Sequence, residues 1–241
     1  MPRIFLPYSD LTSNLVTISG EKARYISSVL RLSSGDKILI TDDKGNSYSA
    51  EIVSSSRKEI KVELIGKETL NTEPILKMTL FQGLLKGEKM DLVVQKAVEL
   101  GVIKIIPVIT ERSQLRETKK LPRWRKIAEE ASRQSGRSVV PEITETTDFG
   151  DIFTAHNCSS DAGIIFWELG GDRLSGILDK LNQPEKINLF TGPEGGFSEK
   201  EIRTASENGF VTASLGKRIL RAETAAIAAV AIIQYRFGDM G

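Results

Sequence analysis

The sequence predicts two domains, a small all-β barrel over residues 1–72 and an α/β domain with a parallel sheet over residues 73–241. Three observations predict this division. Short strands with period-two alternation fill the first 70 residues, a turn-forming stretch follows at 71–74, and strands then alternate with helices to the end of the chain. Alternating strands and helices are typical of a parallel sheet covered by helices.

The N-terminal elements follow from side-chain periodicity. Strands are predicted at 36–41, 47–53 and 59–65, and one helix at 21–32. In each strand apolar and polar side chains alternate, and the strands recur about every ten residues with turns between them. In the helix Ala23, Ile26 and Val29 share one face. This spacing indicates a small barrel.

The C-terminal elements carry stronger boundary signals. Strands are predicted at 76–82, 102–109, 163–167, 187–190 and 210–214, and helices at 88–100, from 121, at 198–208 and at 222–237. The strand at 102–109 is apolar on both faces, as in a buried parallel sheet. Gly101 stands where helices commonly end, and Ser198 with Glu201 has the pattern of a capping box.

Composition excludes several classes of protein. The formal net charge is +1, with 40% hydrophobic and 27% charged residues, which is ordinary for a globular protein. The one histidine, His156, and the one cysteine, Cys158, exclude a disulfide framework and a Cys/His zinc cluster, so no metal is expected. No window is apolar enough to span a bilayer and no signal peptide is seen, so we expect a cytoplasmic protein without a membrane partner.

Two glycine-bearing loops predict a ligand pocket. Residues 191–198 and 215–224 each follow a predicted strand and lead into a helix. Because ligands of α/β sheets bind at the carboxyl ends of strands, the two loops predict one shared pocket for a flat, polar cofactor. The first loop lacks the spacing of a dinucleotide fingerprint, and the glycines near residue 85 lack the pattern of a phosphate loop. In the second loop, Arg218 and Arg221 flank an apolar pair, which suits a planar base.

A basic segment predicts a polyanionic partner. Nine basic and three acidic residues between Arg112 and Arg137 give this segment a charge of +6. Such clustering is typical of phosphate-binding surfaces. A solvated helix face with no ligand is the alternative that the sequence leaves open.

Four motifs together resemble one known family. They are Gln82–Asp91 with Gln95–Gly101, Glu111–Ser113, Trp124–Arg137, and the two C-terminal loops, G-P-E-G-G-F-S and L-G-K-R-I-L-R-A-E-T-A. In this order they are similar to the SPOUT superfamily of S-adenosylmethionine-dependent RNA methyltransferases. Within it, they resemble the bacterial 16S rRNA (uracil-N3)-methyltransferase family over nearly the whole chain.

The resemblance implies a fold and an activity. The expected fold is a PUA-like β-barrel followed by an α/β SPOUT methyltransferase domain with a deep trefoil knot. The expected cofactor is S-adenosyl-L-methionine, and the expected partners are a second copy of the chain, in a homodimer, and 16S rRNA in the 30S ribosomal subunit. The methyl group would go to N3 of one uridine, conventionally numbered 1498.

The resemblance also implies site residues. Cofactor contacts are expected from Thr191, Gly192, Glu194, Gly196, Leu215, Gly216, Ile219, Leu220, Thr224 and Ala225. As a catalytic hypothesis, Arg221, together with Arg218, stabilises the developing uracil anion, and Glu223 or a water removes the N3 proton. RNA-backbone contacts are proposed for Arg3, Arg24, Arg31, Arg112, Arg116, Arg133 and Arg137.

Three other functions stay open from the sequence. The chain could be another methyltransferase of the same fold, acting on ribose or on a tRNA purine. It could be a non-catalytic ribosome assembly factor, or a nucleotide-binding oxidoreductase, although the dinucleotide fingerprint is missing.

Overall fold

The computed structural model describes residues 1–69, 72–156, 158 and 161–241, which form two compact units. The N-terminal unit comprises residues 1–73 and 132–140, and the C-terminal unit comprises residues 74–131 and 141–241. The turn that predicts the domain boundary includes residue 71, which lies outside the described residues. Sequence patterns do not predict that residues 132–140 belong to the N-terminal unit, because this follows from contacts between segments distant in the chain.

The N-terminal unit contains a five-stranded mixed sheet in the order β1-β3-β4-β5-β2. Its strands are β1 (Arg3–Leu6), β2 (Leu15–Ser19), β3 (Lys37–Asp42), β4 (Ser47–Ser55) and β5 (Glu59–Glu68). Only the β1–β3 pair is parallel. The three strands predicted from alternation are all present, and their inward side chains, such as Ile40, Ile52 and Ile60, are fully buried in one apolar core.

The predicted N-terminal helix is shorter and less regular than the sequence suggests. Helix α1 covers Gly20–Arg24 and passes into a π-helical turn over Tyr25–Val29. In this turn the Leu30 amide donates to the Tyr25 carbonyl, five residues earlier, at 2.9 Å. The wider turn rotates Val29 out of the shared apolar face, and its side chain is 66% exposed. Arg31, with φ of 57°, then ends the segment.

The C-terminal unit is built on an eight-stranded sheet in which every strand pair is parallel. Its strands are β6 (Lys77–Gly83), β7 (Lys104–Ile109), β8 (Glu142–Ile143), β9 (Thr147–Asp148), β10 (Ala162–Phe166), β11 (Asp172–Arg173), β12 (Lys186–Thr191) and β13 (Phe210–Ser214). The order is β11-β13-β10-β12-β6-β7-β8, with β9 pairing to β7. The predicted parallel sheet is confirmed, whereas the two-residue strands were beyond prediction because they are too short to show periodicity.

Helices connect these strands. They are α2 (Lys89–Glu99), α3 (Leu121–Ser135), α4 (Ile152–Ala155), α5 (Leu174–Leu178), α6 (Glu199–Glu207) and α7 (Ala222–Phe237). The predicted capping box of α6 is present: the Ser198 hydroxyl accepts from the Glu201 amide at 3.3 Å, and the Ser198 amide donates to the Glu201 carboxylate at 2.8 Å. Gly101 follows α2 with φ of 87°, which favours glycine.

Aromatic packing holds the central strands together. The rings of Phe81 on β6 and Phe190 on β12 are stacked with centroids 4.4 Å apart, and Phe210 of β13 meets Phe190 at 4.9 Å. All three side chains are buried. These contacts join strands of the consecutive set β13, β10, β12 and β6, and because all four strands are parallel, their carboxyl ends lie at one edge of the sheet.

Candidate functional site

A pocket opens at the carboxyl edge of the parallel sheet. The strands β13, β10 and β12 are neighbours and run parallel, so the loops that follow them meet there. The pocket has an empty volume of about 680 Å³, part of it continuous with solvent. This volume is within the range usual for small-ligand sites.

Nine of the ten residues predicted to contact a cofactor line this pocket. They are Thr191, Gly192, Glu194, Gly196, Leu215, Gly216, Ile219, Leu220 and Ala225. Thr224 does not line it and is exposed in the first turn of α7. The structure therefore brings the two glycine loops together, and their role in cofactor binding stays a prediction.

The sequence patterns missed a third wall of the pocket. This wall lies at the end of β10 and consists of Phe166, Trp167 and Glu168. Pro193, Ser214 and Ala222 also line the pocket. A signal for it existed, because the strand at 163–167 is predicted in the same sheet and must end at the same edge. Which strands are neighbours in that sheet is decided by tertiary packing.

Gln82, at the end of β6, holds the start of the first glycine loop through hydrogen bonds. Its side chain is fully buried, and its Oε1 accepts from the Thr191 hydroxyl at 2.7 Å. Its Nε2 donates to the carbonyl oxygens of Gly83 at 2.9 Å and Gly192 at 3.3 Å. Buried polar groups are costly unless they are hydrogen-bonded, so this bonding holds the loop in one position.

Two glycines let other segments approach this loop closely. A Cβ on Gly83 would lie 2.5 Å from the Pro193 nitrogen, and a Cβ on Gly195 would lie 2.9 Å from Cβ of Arg112. Real Cβ atoms do not come so close to a backbone. The Arg112 guanidinium also donates to the Gly195 carbonyl at 3.2 Å, so an exposed cation lies against the glycine loop.

Glu194 joins this loop to the start of α2. Its Oε1 accepts from Lys89 Nζ at 3.0 Å and from the Lys86 amide at 3.2 Å. Burial opposes ionisation of Glu194, but the hydrogen bonds from Lys89 and from backbone amides outweigh it and lower its pKa. The carboxylate predicted to bind a ligand therefore already has protein partners on one oxygen.

The second loop is largely exposed and offers apolar side chains to the pocket. The Ser214 hydroxyl accepts from the Gly216 amide at 3.2 Å, and Gly216 has φ of 109°, which only glycine adopts readily. Beyond it, Ile219 lines the pocket although its side chain is 84% exposed. An apolar side chain in this position offers a surface to a flat ligand.

The three predicted catalytic residues occupy different places. Arg218 lines the pocket. Arg221 is exposed at the N-cap of α7 and does not line the pocket. Glu223 lies in the first turn of α7, where its Oε2 is shielded from solvent and has no hydrogen-bond partner among the described residues.

Two of the seven arginines predicted to bind RNA are buried. Arg3 is 7% exposed and donates to the carbonyl oxygens of Gly136 and Arg137. Arg137 is 3% exposed and pairs with Glu73 at 2.6 Å. Their guanidinium groups are engaged inside the N-terminal unit, so we leave both out of the proposed RNA surface.

The other five arginines keep surface exposure. Arg24, Arg31, Arg112 and Arg116 are exposed, and Arg133 is half-buried with its guanidinium 4.5 Å from the centroid of the Tyr25 ring. Within the C-terminal unit, Arg116 also donates to two backbone carbonyls at the end of β7, at 3.1 and 2.8 Å. Exposure makes Arg24, Arg31, Arg112 and Arg116 available to a polyanion, and the RNA contacts of all five stay a prediction.

Among the described residues, no group of three acidic, histidine or cysteine side chains could hold a metal ion. No helix within the described ranges is long and apolar enough to cross a membrane.

Comparison with known proteins matches both parts of the chain to RNA methyltransferase families. The family described as RNA methyltransferase domain matches residues 71–234, and the family described as RNA methyltransferase PUA domain matches residues 18–65. Ribosomal RNA small subunit methyltransferase E of Bacillus subtilis is 33% identical over 235 residues, covering 91% of this chain and 90% of the relative. The protein of the same name from Buchnera aphidicola is 31% identical over 245 residues, covering 100% and 98%.

Solved structures agree over the full length. A ribosomal RNA small subunit methyltransferase E from Neisseria gonorrhoeae, bound to S-adenosylmethionine, is 34% identical, has a TM-score of 0.89 and covers 100% of both chains. A methyltransferase from Legionella pneumophila, also with bound S-adenosylmethionine, is 34% identical with a TM-score of 0.89 and covers 98% of both chains.

Proposed function

Since the chain belongs to the ribosomal RNA small subunit methyltransferase E family, we propose that it methylates N3 of one uridine of 16S rRNA with S-adenosylmethionine. The proposed nucleotide is the one conventionally numbered 1498, and the proposed substrate is the 30S subunit. Methyl transfer to small-subunit ribosomal RNA is what the name of the relatives states. Our proposal goes further than this name in three respects: the methylated atom is N3 of uracil, the nucleotide is uridine 1498, and the substrate is the 30S subunit.

The observation that carries the proposal is the pocket at the carboxyl edge of the sheet. Ile219 and Leu220 supply apolar surface, and Gly192 and Gly196 leave backbone open to close approach. The charged lining residues include both signs, which suits a ligand with an amino-acid end. The pocket therefore fits S-adenosylmethionine, whose sulfonium supplies an electrophilic methyl group.

The catalytic proposal concerns the proton on uracil N3. Neutral uracil is a poor nucleophile at N3 until that proton leaves. Arg218 on the pocket wall and Arg221 at the N-cap of α7 are proposed to stabilise the developing anion. Glu223, whose Oε2 is shielded and unpartnered among the described residues, is proposed to accept the proton.

The RNA is proposed to be held by the exposed arginines. Arg112 supports this most directly, because its guanidinium lies at the Gly195 carbonyl, beside the pocket loop. Arg24, Arg31, Arg116 and Arg133 are proposed to contact the phosphate backbone elsewhere. Such contacts release counterions, so binding should weaken steeply with salt.

A homodimer is proposed because apolar and aromatic side chains of the C-terminal unit are exposed on α7 and α2. Helix α7 carries apolar side chains all round its axis, and a helix of that kind is ordinarily buried. Its Ile232 and Tyr235 are nevertheless 39% and 67% exposed, and Leu92 of α2 is 40% exposed. A second copy of the chain is the proposed cover. The deep trefoil knot and the cytoplasmic location stay predictions of the family resemblance.

The deciding experiment identifies the methylated nucleoside. Unmodified 30S subunits, free 16S rRNA and bulk tRNA are each incubated with the protein and methyl-labelled S-adenosylmethionine, and the digested RNA is analysed by mass spectrometry. We expect 3-methyluridine in RNA from 30S subunits. Label in tRNA or on ribose would contradict the proposed target, and binding to 30S without any label would favour an assembly factor.

A second measurement tests the catalytic residues. Single-turnover rates are compared for the wild type and the variants Arg221→Ala, Arg218→Ala and Glu223→Gln. We expect each to slow methyl transfer by about 100-fold, the usual size of such a catalytic contribution. A variant with the wild-type rate would remove that residue from the mechanism.

A further inference from the structure

Glu168 is a charged pocket residue that neither the sequence patterns nor the proposed catalysis uses. It lies two residues beyond the end of β10. The neighbours of β10 in the sheet are β13 and β12, which lead into the two glycine loops, so Glu168 follows the middle one of the three strands that end at the pocket. Its carboxylate lies against the first loop: a Cβ on Gly196 would be 2.2 Å from Glu168 Oε1. Gly196 has φ of 68°, so this close approach exists because the position is glycine.

The carboxylate of Glu168 has no hydrogen bond or ion pair within the part of the chain that the structure describes, and the residue is exposed. The other acidic lining residue, Glu194, differs because Lys89 and the Lys86 amide already bind one of its oxygens. Arg218 is the lining residue of opposite charge. Of the two carboxylates that line the pocket, Glu168 is therefore the one that no described group of the protein binds through a hydrogen bond or an ion pair.

We propose that Glu168 is a cofactor-binding residue, whose carboxylate holds S-adenosylmethionine by accepting a hydrogen bond or by its negative charge. The adenine amino group, the ribose hydroxyls and the ammonium of the amino-acid end donate hydrogen bonds, and the sulfonium attracts a carboxylate by its charge. This inference rests on the proposed function. It adds to that function a residue on the third wall of the pocket, outside the two glycine loops.

The adjacent Trp167 provides a readout that does not depend on methyl transfer. It lines the pocket, and its indole nitrogen is shielded from solvent without a partner among the described residues. The second tryptophan of the chain, Trp124, is 1% exposed and donates to Asp91 at 3.0 Å. A ligand in the pocket should therefore change the fluorescence of Trp167 and leave that of Trp124 unchanged.

The test measures dissociation constants by tryptophan fluorescence and calorimetry for the wild type, Glu168→Gln and Glu168→Asp. Glu207→Gln, at an exposed position near the end of α6, is the matched control. We expect Glu168→Gln to weaken binding of S-adenosylmethionine by about 10-fold, the size expected for one charge-assisted hydrogen bond that solvent partly screens. Glu168→Asp should recover part of the loss, and the control should bind as the wild type does. Because the carboxylate has no partner in the described protein, the thermal unfolding of Glu168→Gln should match that of the wild type.

Two further ligands identify the group that Glu168 binds. S-adenosylhomocysteine keeps the adenosine and the ammonium but has no sulfonium, and 5′-methylthioadenosine keeps the adenosine with a thioether and has no amino-acid end. Equal weakening of all three ligands would assign the adenosine part, through its ribose hydroxyls or its adenine amino group. Weakening of the two amino-acid ligands would assign the ammonium, and weakening of S-adenosylmethionine alone would assign the charge of the sulfonium. Each of these outcomes supports the proposal.

Unchanged affinity of Glu168→Gln for all three ligands, with normal binding by the wild type, would overturn the role of Glu168 and leave the proposed function standing. If the wild type bound none of the ligands, the proposed function would fail together with this inference.

Discussion

The first glycine loop of the pocket depends on close approach between backbone segments, whereas the basic segment from Arg112 to Arg137 carries long charged side chains. Gly83 and Gly195 do not line the pocket themselves, but a Cβ at either would collide with the neighbouring backbone or with the base of a side chain beside the first glycine loop. In the basic segment, arginines differ in their exposure to solvent. Arg112 is exposed beside the glycine loop, whereas Arg137 is buried and paired with Glu73. A missing Cβ thus matters where the fold brings a distant segment close, while the role of a charge depends on what the fold places around it.

The sharpest test of this contrast is the buried ion pair. Arg137→Met should lower the free energy of unfolding by about 3 kcal/mol, because it leaves the Glu73 carboxylate half-buried without its cation. Urea unfolding measures this loss. The double variant Glu73→Gln with Arg137→Met should recover part of it, and Arg24→Met, at an exposed arginine of the same unit, should change stability by less than about 0.5 kcal/mol. A stable Arg137→Met protein with weakened RNA binding would instead restore Arg137 to the RNA surface.

A substitution at Gly83 tests whether the first glycine loop depends on close backbone approach. Gly83→Ala should weaken binding of S-adenosylmethionine by about 10-fold and destabilise the C-terminal unit by about 1–3 kcal/mol, since the new Cβ pushes against Pro193. Calorimetric titration and urea unfolding measure the two effects. Gly176→Ala in α5 is the control, because a Cβ there meets nothing within 4 Å. Equal behaviour of the two variants would show that the loop tolerates displacement.

The exposed arginines should have smaller, additive effects. Arg24→Gln and Arg31→Gln should each weaken binding to 30S subunits a few-fold at moderate salt. Each should reduce the slope of log affinity against log salt concentration by about 0.7–0.9, because one phosphate contact is lost. Lys180→Gln, at an exposed lysine outside the basic segment, should leave the slope unchanged. An unchanged slope for both arginine variants would place the RNA on another surface.

The smallest expected effect concerns Glu194 and pH. Its pKa in the folded protein is lowered from the usual 4.5, so its ionised form adds stability at neutral pH. That contribution is complete above the unfolded pKa and is lost as pH falls through the lower folded pKa, that is, below about pH 4.5. Unfolding measured at pH 7 and at pH 3.5 should show a smaller difference for Glu194→Gln than for the wild type. An identical difference in both proteins would mean that the pKa of Glu194 is not lowered in the folded protein.

Much of the site was open to prediction because its signals are local. The turn from strand to helix at Gly192 and at Gly216 follows from glycine beside an apolar run, and the capping box at Ser198 needs only four residues. Thr224 is exposed in the first turn of α7 and does not line the pocket, and its contact with the cofactor stays a prediction. Glu168 was not predictable in the same way, since a single acidic residue after a strand carries no pattern.

By itself, the sequence determined the kind of the long elements of the C-terminal unit, the parallel character of its sheet and the two loops that form a pocket. These depend on hydrophobic periodicity, on caps and on residues without a Cβ, which act within a few positions along the chain. Only the tertiary structure decided that β10 lies between β12 and β13, that Glu168 therefore joins the pocket, and that Arg137 is buried while Arg112 is exposed. The physical reason is that strand order and burial result from contacts between residues far apart in the chain, about which local patterns carry no information.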